Sequence, residues 1–495
     1  MIRIEGDEVV FESERLRHEC GVFGLYAPNE DVSRTTYFGL FALQHRGQES
    51  AGITVSTGSE LKSHRGMGLV SQVFSEEHLF ELQGVAAIGH VRYSTTGSSV
   101  LRNSQPLTIR AGHQPFAIAH NGNLVNTDAL YEKYQKLGYR FTTTSDSEVL
   151  GVAIAHAWQR DEPIEQAVLR VMEELRGAYS VVLLTPDRVV AFKDPQGFRP
   201  LCIGQLEQGD GYVVASETCA LSPIGARFLR EIEPGEVAVL TQSKVEFHKP
   251  PMPTRSAGCI FEFIYFARPD SYIYGRNLHF ARRRMGNVLA QEHPLEHNGP
   301  SLVIPVPDTG IPAAIGFAEA SGHKFNEGFI KNRYIQRTFI QPNQRMRELG
   351  VRMKLSVLKE AVYDRAVVMV DDSIVRGTTT GPTVKLLREN GAREVHVRIT
   401  APPLRFPCFY GVDMATQDQL IAANLSVDKI RDHIGADSLG YLSPKGLIKA
   451  IGIPRSKFCM ACFVGEYPTE LPKGACVANC RVCEADPEAD GVDMW

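Results

Sequence analysis

The run Val367-Val368-Met369-Val370-Asp371-Asp372-Ser373-Ile374-Val375-Arg376-Gly377-Thr378-Thr379-Thr380-Gly381 leaves its part of the chain few folds to adopt. Four apolar residues predict a short buried strand, two acids mark its end, and a Gly/Thr-rich loop opens a helix that runs to Asn390. The loop is built to cradle a phosphate. Gly377 lets the backbone come close to a ligand, the threonine hydroxyls donate, and the free N–H groups and dipole at a helix start favour an anion. Asp371 and Asp372 would repel that phosphate. They suit vicinal hydroxyls and a magnesium shell instead, because carboxylates accept from a sugar and bind hard cations through water. Strand, acid pair and loop together describe a ribose 5-phosphate site. An ordinary strand-turn-helix crossover is the bland alternative, but few of those put two acids and an Arg-Gly-Thr-Thr turn directly after four apolar residues. A Walker loop is excluded, since the chain has no Gly-Lys-Ser or Gly-Lys-Thr.

A chain of 495 residues is too long for one core, so two domains with a tail are expected. A net charge of −4 with 22% charged residues argues against a nucleic-acid binder or a disordered chain. No apolar run approaches the ~18 residues of a membrane span. Met1–Glu19 carries acids and arginines without an apolar core, so it is no secretory signal, and a cytoplasmic location is expected. Ten cysteines are too sparse for a disulfide scaffold, which leaves catalysis or metal binding.

Cys20 opens a small apolar strand, Cys20-Gly21-Val22-Phe23-Gly24. Four polar, glycine-dense segments follow: Gln44-His45-Arg46-Gly47-Gln48-Glu49, Gly89-His90-Val91-Arg92-Tyr93-Ser94-Thr95, His120-Asn121-Gly122-Asn123-Leu124 and Ser145-Asp146-Ser147-Glu148. They hold the groups that cleavage of a glutamine amide requires. Arg92 suits the substrate α-carboxylate, Asp146 its α-ammonium, and Asn121 with the Gly122 N–H a tetrahedral oxyanion. A base for the thiol is missing, and His90 and His120 are only neighbours of these motifs in sequence. Lys249-Pro250-Pro251-Met252-Pro253-Thr254 is a proline-rich break and marks the expected boundary between two domains. Beyond it, Ser301-Leu302-Val303-Ile304-Pro305 predicts a second strand whose loop, Pro307-Asp308-Thr309-Gly310, a parallel sheet would bring near the acid pair. Between Lys331 and Lys354 lie seven basic residues and one acid, a net +6 suited to gripping pyrophosphate.

The acid-pair run resembles the signature of the type I phosphoribosyltransferases. Cys-Gly-Val-Phe-Gly, Gln-His-Arg-Gly-Gln-Glu and Asn-Gly-Asn-Leu resemble the class II, N-terminal-nucleophile glutamine amidotransferases. The resemblance implies a four-layer αββα domain followed by an α/β parallel-sheet domain, divided as a propeptide (1–19), an amidotransferase domain (20–250), a phosphoribosyltransferase domain (251–455) and a cysteine-rich arm (456–495). It implies that Cys20 becomes the first residue and that its own α-amino group is the base. Cys20, Asn121 and Gly122 would then be catalytic, and Arg92, Thr95 and Asp146 would bind glutamine. Phosphoribosyl pyrophosphate would be held by Asp371, Asp372, Ser373, Arg376, Gly377, Thr378, Thr379, Lys331 and Arg333. Thr309, Asp371 and Asp372 would serve one Mg2+ per subunit.

Cys459-Met460-Ala461-Cys462 with Cys476, Cys480 and Cys483 reads, by spacing alone, as a local zinc site. Resemblance to the iron-sulfur branch of the glutamine phosphoribosylpyrophosphate amidotransferases implies instead a 4Fe-4S cluster on Cys259, Cys408, Cys459 and Cys462, with Cys408 after the sheet. The implied reaction is transfer of the glutamine amide nitrogen to phosphoribosyl pyrophosphate, giving 5-phosphoribosylamine at the first committed step of de novo purine synthesis. A homotetramer restrained by purine nucleotides is implied as well. A different class II amidotransferase and a non-catalytic nucleotide-binding regulator are the other readings.

Overall fold

The computed structural model describes residues 3–5, 8–10, 20–93, 99–110, 115–158, 162–207, 211–295, 299–332, 334, 352–412, 414 and 416–471. The N-terminal half is two antiparallel sheets face to face. One runs, edge to edge, through Val245–His248, Val237–Leu240, Val189–Lys193, Gly177–Leu184, Pro115–Leu124 and Leu107–Arg110. The other runs through Ala226–Glu231, Cys202–Leu206, Tyr212–Ala215, Gly21–Tyr26, Ala86–Arg92, Ser50–Ser56 and Leu61–Met67.

Alternation along each strand makes the layers, because successive side chains leave a strand on opposite faces. Val22 enters the core between the sheets, whereas Phe23 and Leu25 enter the core under helix Val32–Ala42. Val182 and Leu184 likewise face the inter-sheet core, and Tyr179, Val181 and Leu183 pack under helices Asp146–Ala157 and Ile164–Val171. Helix, sheet, sheet, helix is the expected αββα order.

Residues 249–257 carry no regular structure and lie along the N-terminal half: Arg255 N–H donates to the Pro195 carbonyl and Cys259 N–H to that of Phe198. The C-terminal half is a parallel sheet in the order Lys324–Phe325, Ser301–Pro305, Ala366–Asp371, Glu394–Ile399, Ser438–Tyr441. Helices Leu278–Glu292, Ile311–Ser321 and Thr380–Glu389 cover it. The expected strand before the acid pair is present and longer than four residues, with Asp371 as its last member. Cys408 lies in the connection between the last two strands rather than after the sheet, because the final strand, Ser438–Tyr441, is too short and polar at its start to announce itself. Among the described residues no helix is long and apolar enough to cross a membrane.

Candidate functional site

Pairing of Gly21 with Val91 sets Cys20 beside the end of strand Ala86–Arg92. The Cys20 Sγ donates to the Tyr93 carbonyl at 3.3 Å and accepts from the Tyr93 N–H at 3.5 Å. Burial pushes this thiol up to about 11, partly offset by the Tyr93 contact and the nearby charge of Arg92, while Glu49 and Asp146 raise it further. It is therefore a neutral thiol at pH 7 that must lose its proton as it attacks.

Asn121 and Gly122 lie on strand Pro115–Leu124 opposite Ser180 and Tyr179. The Asn121 Nδ2 is buried without a hydrogen-bond partner. Such a donor costs on the order of 1–3 kcal/mol unless a ligand completes it. Gly122 has φ +147°, and a Cβ there would meet the Ala178 carbonyl oxygen at 2.0 Å, so the position admits only glycine. Asp146 starts helix Asp146–Ala157, whose positive end favours a carboxylate, and its Oδ2 accepts from the Leu124 N–H at 3.1 Å. Arg92 is buried and faces Glu49 at 3.7 Å. The structure thus gathers Cys20, Arg92, Asn121, Gly122 and Asp146 at one end of the paired sheets.

The two neighbouring histidines have other partners. His90 Nε2 meets the His120 carbonyl at 3.1 Å, and His120 Nδ1 meets the Ser147 hydroxyl at 3.1 Å. Burial lowers both rings, His90 to about 3. Among the described residues neither bonds the thiol, so the missing base is not supplied by them.

In the C-terminal half, strands Ser301–Pro305 and Ala366–Asp371 end together, with Val306 N–H donating to the Val370 carbonyl at 2.8 Å. Thr309 Oγ1 donates to Asp372 Oδ2 at 2.5 Å, Ser373 Oγ to Asp372 Oδ1 at 2.7 Å, and Asp372 N–H to Asp371 Oδ1 at 2.9 Å. A hollow beyond them is lined by the run from Asp371 to Gly377 with Thr379 and Thr380. Gly377 turns the loop at φ +77°, and the buried Thr378 hydroxyl has no partner. Arg376 reaches Gln419, and Lys331 Nζ pairs with Asp308 at 2.5 Å in the loop before Thr309. Thr95 and Arg333 lie outside the described residues, as do Arg337, Arg345, Arg347 and the tail cysteines Cys476, Cys480 and Cys483.

Cys259 and Cys459 are in register on a two-residue parallel pair, Gly258–Cys259 with Phe458–Cys459. Burial raises the Cys462 thiol, and the charges of Cys459, Cys408 and Cys259 raise it further, so the four sulfurs share one neighbourhood. All four are free thiols, and burial takes Cys459 up to about 12. Ligands of one zinc would hold their sulfurs about 3.8 Å apart. Among the described residues the one His, Cys or acid trio with all ligand atoms within 4.8 Å of one another is His45, Glu217 and Cys219.

One buried assembly carries no role in the sequence reading: Arg46, Glu217 and Glu262. Its one sequence signal is a lone acid within the aromatic run Phe261-Glu262-Phe263-Ile264-Tyr265-Phe266.

Residues 90–223 match the glutamine amidotransferase domain family. The chain is 50% identical over 462 residues to an amidophosphoribosyltransferase of Synechocystis sp., covering 93% of each chain. It is 47% identical to that of Bacillus subtilis, covering 93% of this chain and 96% of the other. The solved glutamine phosphoribosylpyrophosphate amidotransferase of B. subtilis, complexed with ADP and GMP, superposes with a TM-score of 0.86 at 46% identity, covering 92% of this chain and 99% of that one. With relatives at 46–50% identity matching nearly end to end, the chain belongs to the amidophosphoribosyltransferases, the glutamine-dependent enzymes of the first step of purine biosynthesis.

Proposed function

We propose that Cys20 is the nucleophile of the glutamine half-reaction and that residues 1–19 are removed to expose its α-amino group as the base. Supporting this is a buried neutral thiol within the fields of Arg92 and Asp146, in a site where the Asn121 amide has no partner and neither histidine serves the sulfur. The α-amino group, with a pKa of about 7.7–8, takes the thiol proton as sulfur attacks the glutamine Cδ. Asn121 and the Gly122 N–H hold the oxyanion, the proton passes to departing ammonia, and water later frees glutamate from the thioester. Arg92, Thr95 and Asp146 grip the amino-acid end of glutamine. The intact mass of the active enzyme is expected to begin at Cys20, and full activity in a chain still carrying Glu19 would overturn the processing step.

In the second site the loop from Ser373 to Thr379 holds the 5-phosphate, Asp371 and Asp372 hold the ribose hydroxyls, and Lys331 and Arg333 grip pyrophosphate. Ammonia adds to C1 as pyrophosphate departs. The donors around Thr309, Asp371 and Asp372 are hard oxygens fit for magnesium, which when bound supplies charge neutralisation to the leaving pyrophosphate. We read the chain as propeptide 1–19, amidotransferase 20–250, transferase 251–455 and arm 456–495, working in the cytoplasm as a homotetramer restrained by purine nucleotides. The ADP and GMP bound to the B. subtilis relative support the last point.

Cys259, Cys408, Cys459 and Cys462 fit a 4Fe-4S cluster, which would staple the arm to the body. Purified protein should be brown with about four irons per chain, and Cys408→Ser should lose both iron and colour. Stoichiometric zinc without visible absorbance would favour the local site instead.

A further inference from the structure

The buried charges around Arg46 join the two halves at one point. Arg46 Nε donates to the carbonyl of Cys20 at 3.1 Å. Its Nη1 and Nη2 grip the Glu262 carboxylate at 3.1 and 2.7 Å, and Nη1 also meets Glu217 at 2.6 Å. Glu262 opens a π-helical turn, Glu262–Phe266, in the C-terminal half. That turn is itself fixed by buried Arg282, which donates to the carbonyls of Phe263 and Ala267 at 2.8 and 2.7 Å. Glu217 is not a metal ligand here, because His45, Arg46, the Arg268 N–H and the Ser271 hydroxyl already occupy both its oxygens.

Three fully buried ionic groups cost several kcal/mol each to desolvate, so the cluster is held only by near-complete pairing. A staple between halves needs an ion pair, yet it does not need the guanidinium Nε–H aimed at the main chain of the reacting residue. We propose that Glu262, a residue of the transferase half, is a positioning residue for the glutamine-cleaving nucleophile: held bidentately, Arg46 fixes the Cys20 carbonyl and with it the direction of the Cys20 α-amino group and thiol. This rests on Cys20 being the nucleophile, and it deepens that reading by making the glutamine site incomplete without the second half. Neither Arg46 nor Glu262 is among the residues proposed to hold the amino-acid end of glutamine, Arg92 and Asp146. Loss of the Glu262 grip therefore disturbs the chemical step more than substrate affinity.

Glu262→Gln keeps an acceptor for one Arg46 N–H and leaves Glu217 to balance the guanidinium, so the variant should fold. Its glutamine-dependent kcat should fall about 100-fold with KM for glutamine and the ammonia-dependent rate each within about twofold of the unaltered enzyme. Glu262→Asp, which keeps the charge, should recover part of the loss. Combining Glu262→Gln with Arg46→Gln should cost no more than Arg46→Gln alone, since both act through one contact. An unchanged glutamine-dependent kcat would overturn the proposal. So would parallel loss of glutamine- and ammonia-dependent rates in both Glu262 variants, the mark of a purely structural staple, or multiplying losses in the double variant. Glutamine use surviving Cys20→Ala would sink the underlying nucleophile reading instead, with a different signature.

Discussion

Cys20→Ala is expected to lower glutamine-dependent formation of phosphoribosylamine by at least about 1000-fold, some 4 kcal/mol of barrier, while ammonia-dependent formation stays within about twofold. On the proposed reading the sulfur forms the bond that carries the γ-glutamyl group, and Cys202 and Cys219, the other thiols of the N-terminal half, are buried in the core under the Val32–Ala42 helix. Alanine is smaller than cysteine, and buried Cys20 is no member of that core, so the fold should tolerate the change. The pH profile carries a second expectation. Burial holds the thiol near 11, so the rise of glutamine-dependent activity should follow the base near 8 and level off well below the thiol's own titration. Measuring both nitrogen sources on one preparation decides the matter. Undiminished synthesis from glutamine in the variant would refute the assignment, and equal loss from both sources would mean the substitution had damaged the transferase site.

How much of this could be read without a structure follows from how each site is assembled. The proposed ribose phosphate site is written contiguously, because a strand end, its acid pair and its loop are neighbours in sequence as in space, and Asp371 to Gly377 with Thr379 and Thr380 line one hollow. The glutamine site is scattered from Cys20 to Asp146, yet each piece carries its own glycine or charge and could be named in isolation. The four-layer architecture came from resemblance, since short alternating strands fit many sandwiches; the burial of Phe23 and Leu25 on one face and Val22 on the other is what distinguishes it. Arg46, Glu217 and Glu262 stayed illegible. Their positions are remote from one another, each looks like a surface charge by composition, and only the docking of the two halves makes them partners. Cys408 was misplaced relative to the sheet for a related reason: Ser438-Leu439-Gly440-Tyr441 has too few apolar residues to read as a strand, although it pairs in parallel with His396–Ile399.

Asp371→Asn and Asp372→Asn should do the opposite of Cys20→Ala, abolishing synthesis from glutamine and from ammonia alike. Both side chains are buried at the strand end, where asparagine preserves shape and hydrogen bonding but removes charge. Asp372 accepts from Thr309 on one oxygen and from Ser373 on the other; in asparagine one hydroxyl still donates to the amide oxygen while the other turns to accept from the amide NH2, so the fold should survive. On the proposed reading, what disappears is the negative charge that would hold a divalent cation and accept from the ribose hydroxyls while the anomeric carbon gains positive character. An interaction of that kind is typically worth about 100- to 1000-fold in kcat/KM for the charged substrate. The loss should appear with either nitrogen donor, and raising magnesium should recover part of it in the single variants and little in the double. Ammonia-dependent synthesis persisting at the unaltered rate in the double variant would place the sugar elsewhere and remove the acid pair from the chemistry.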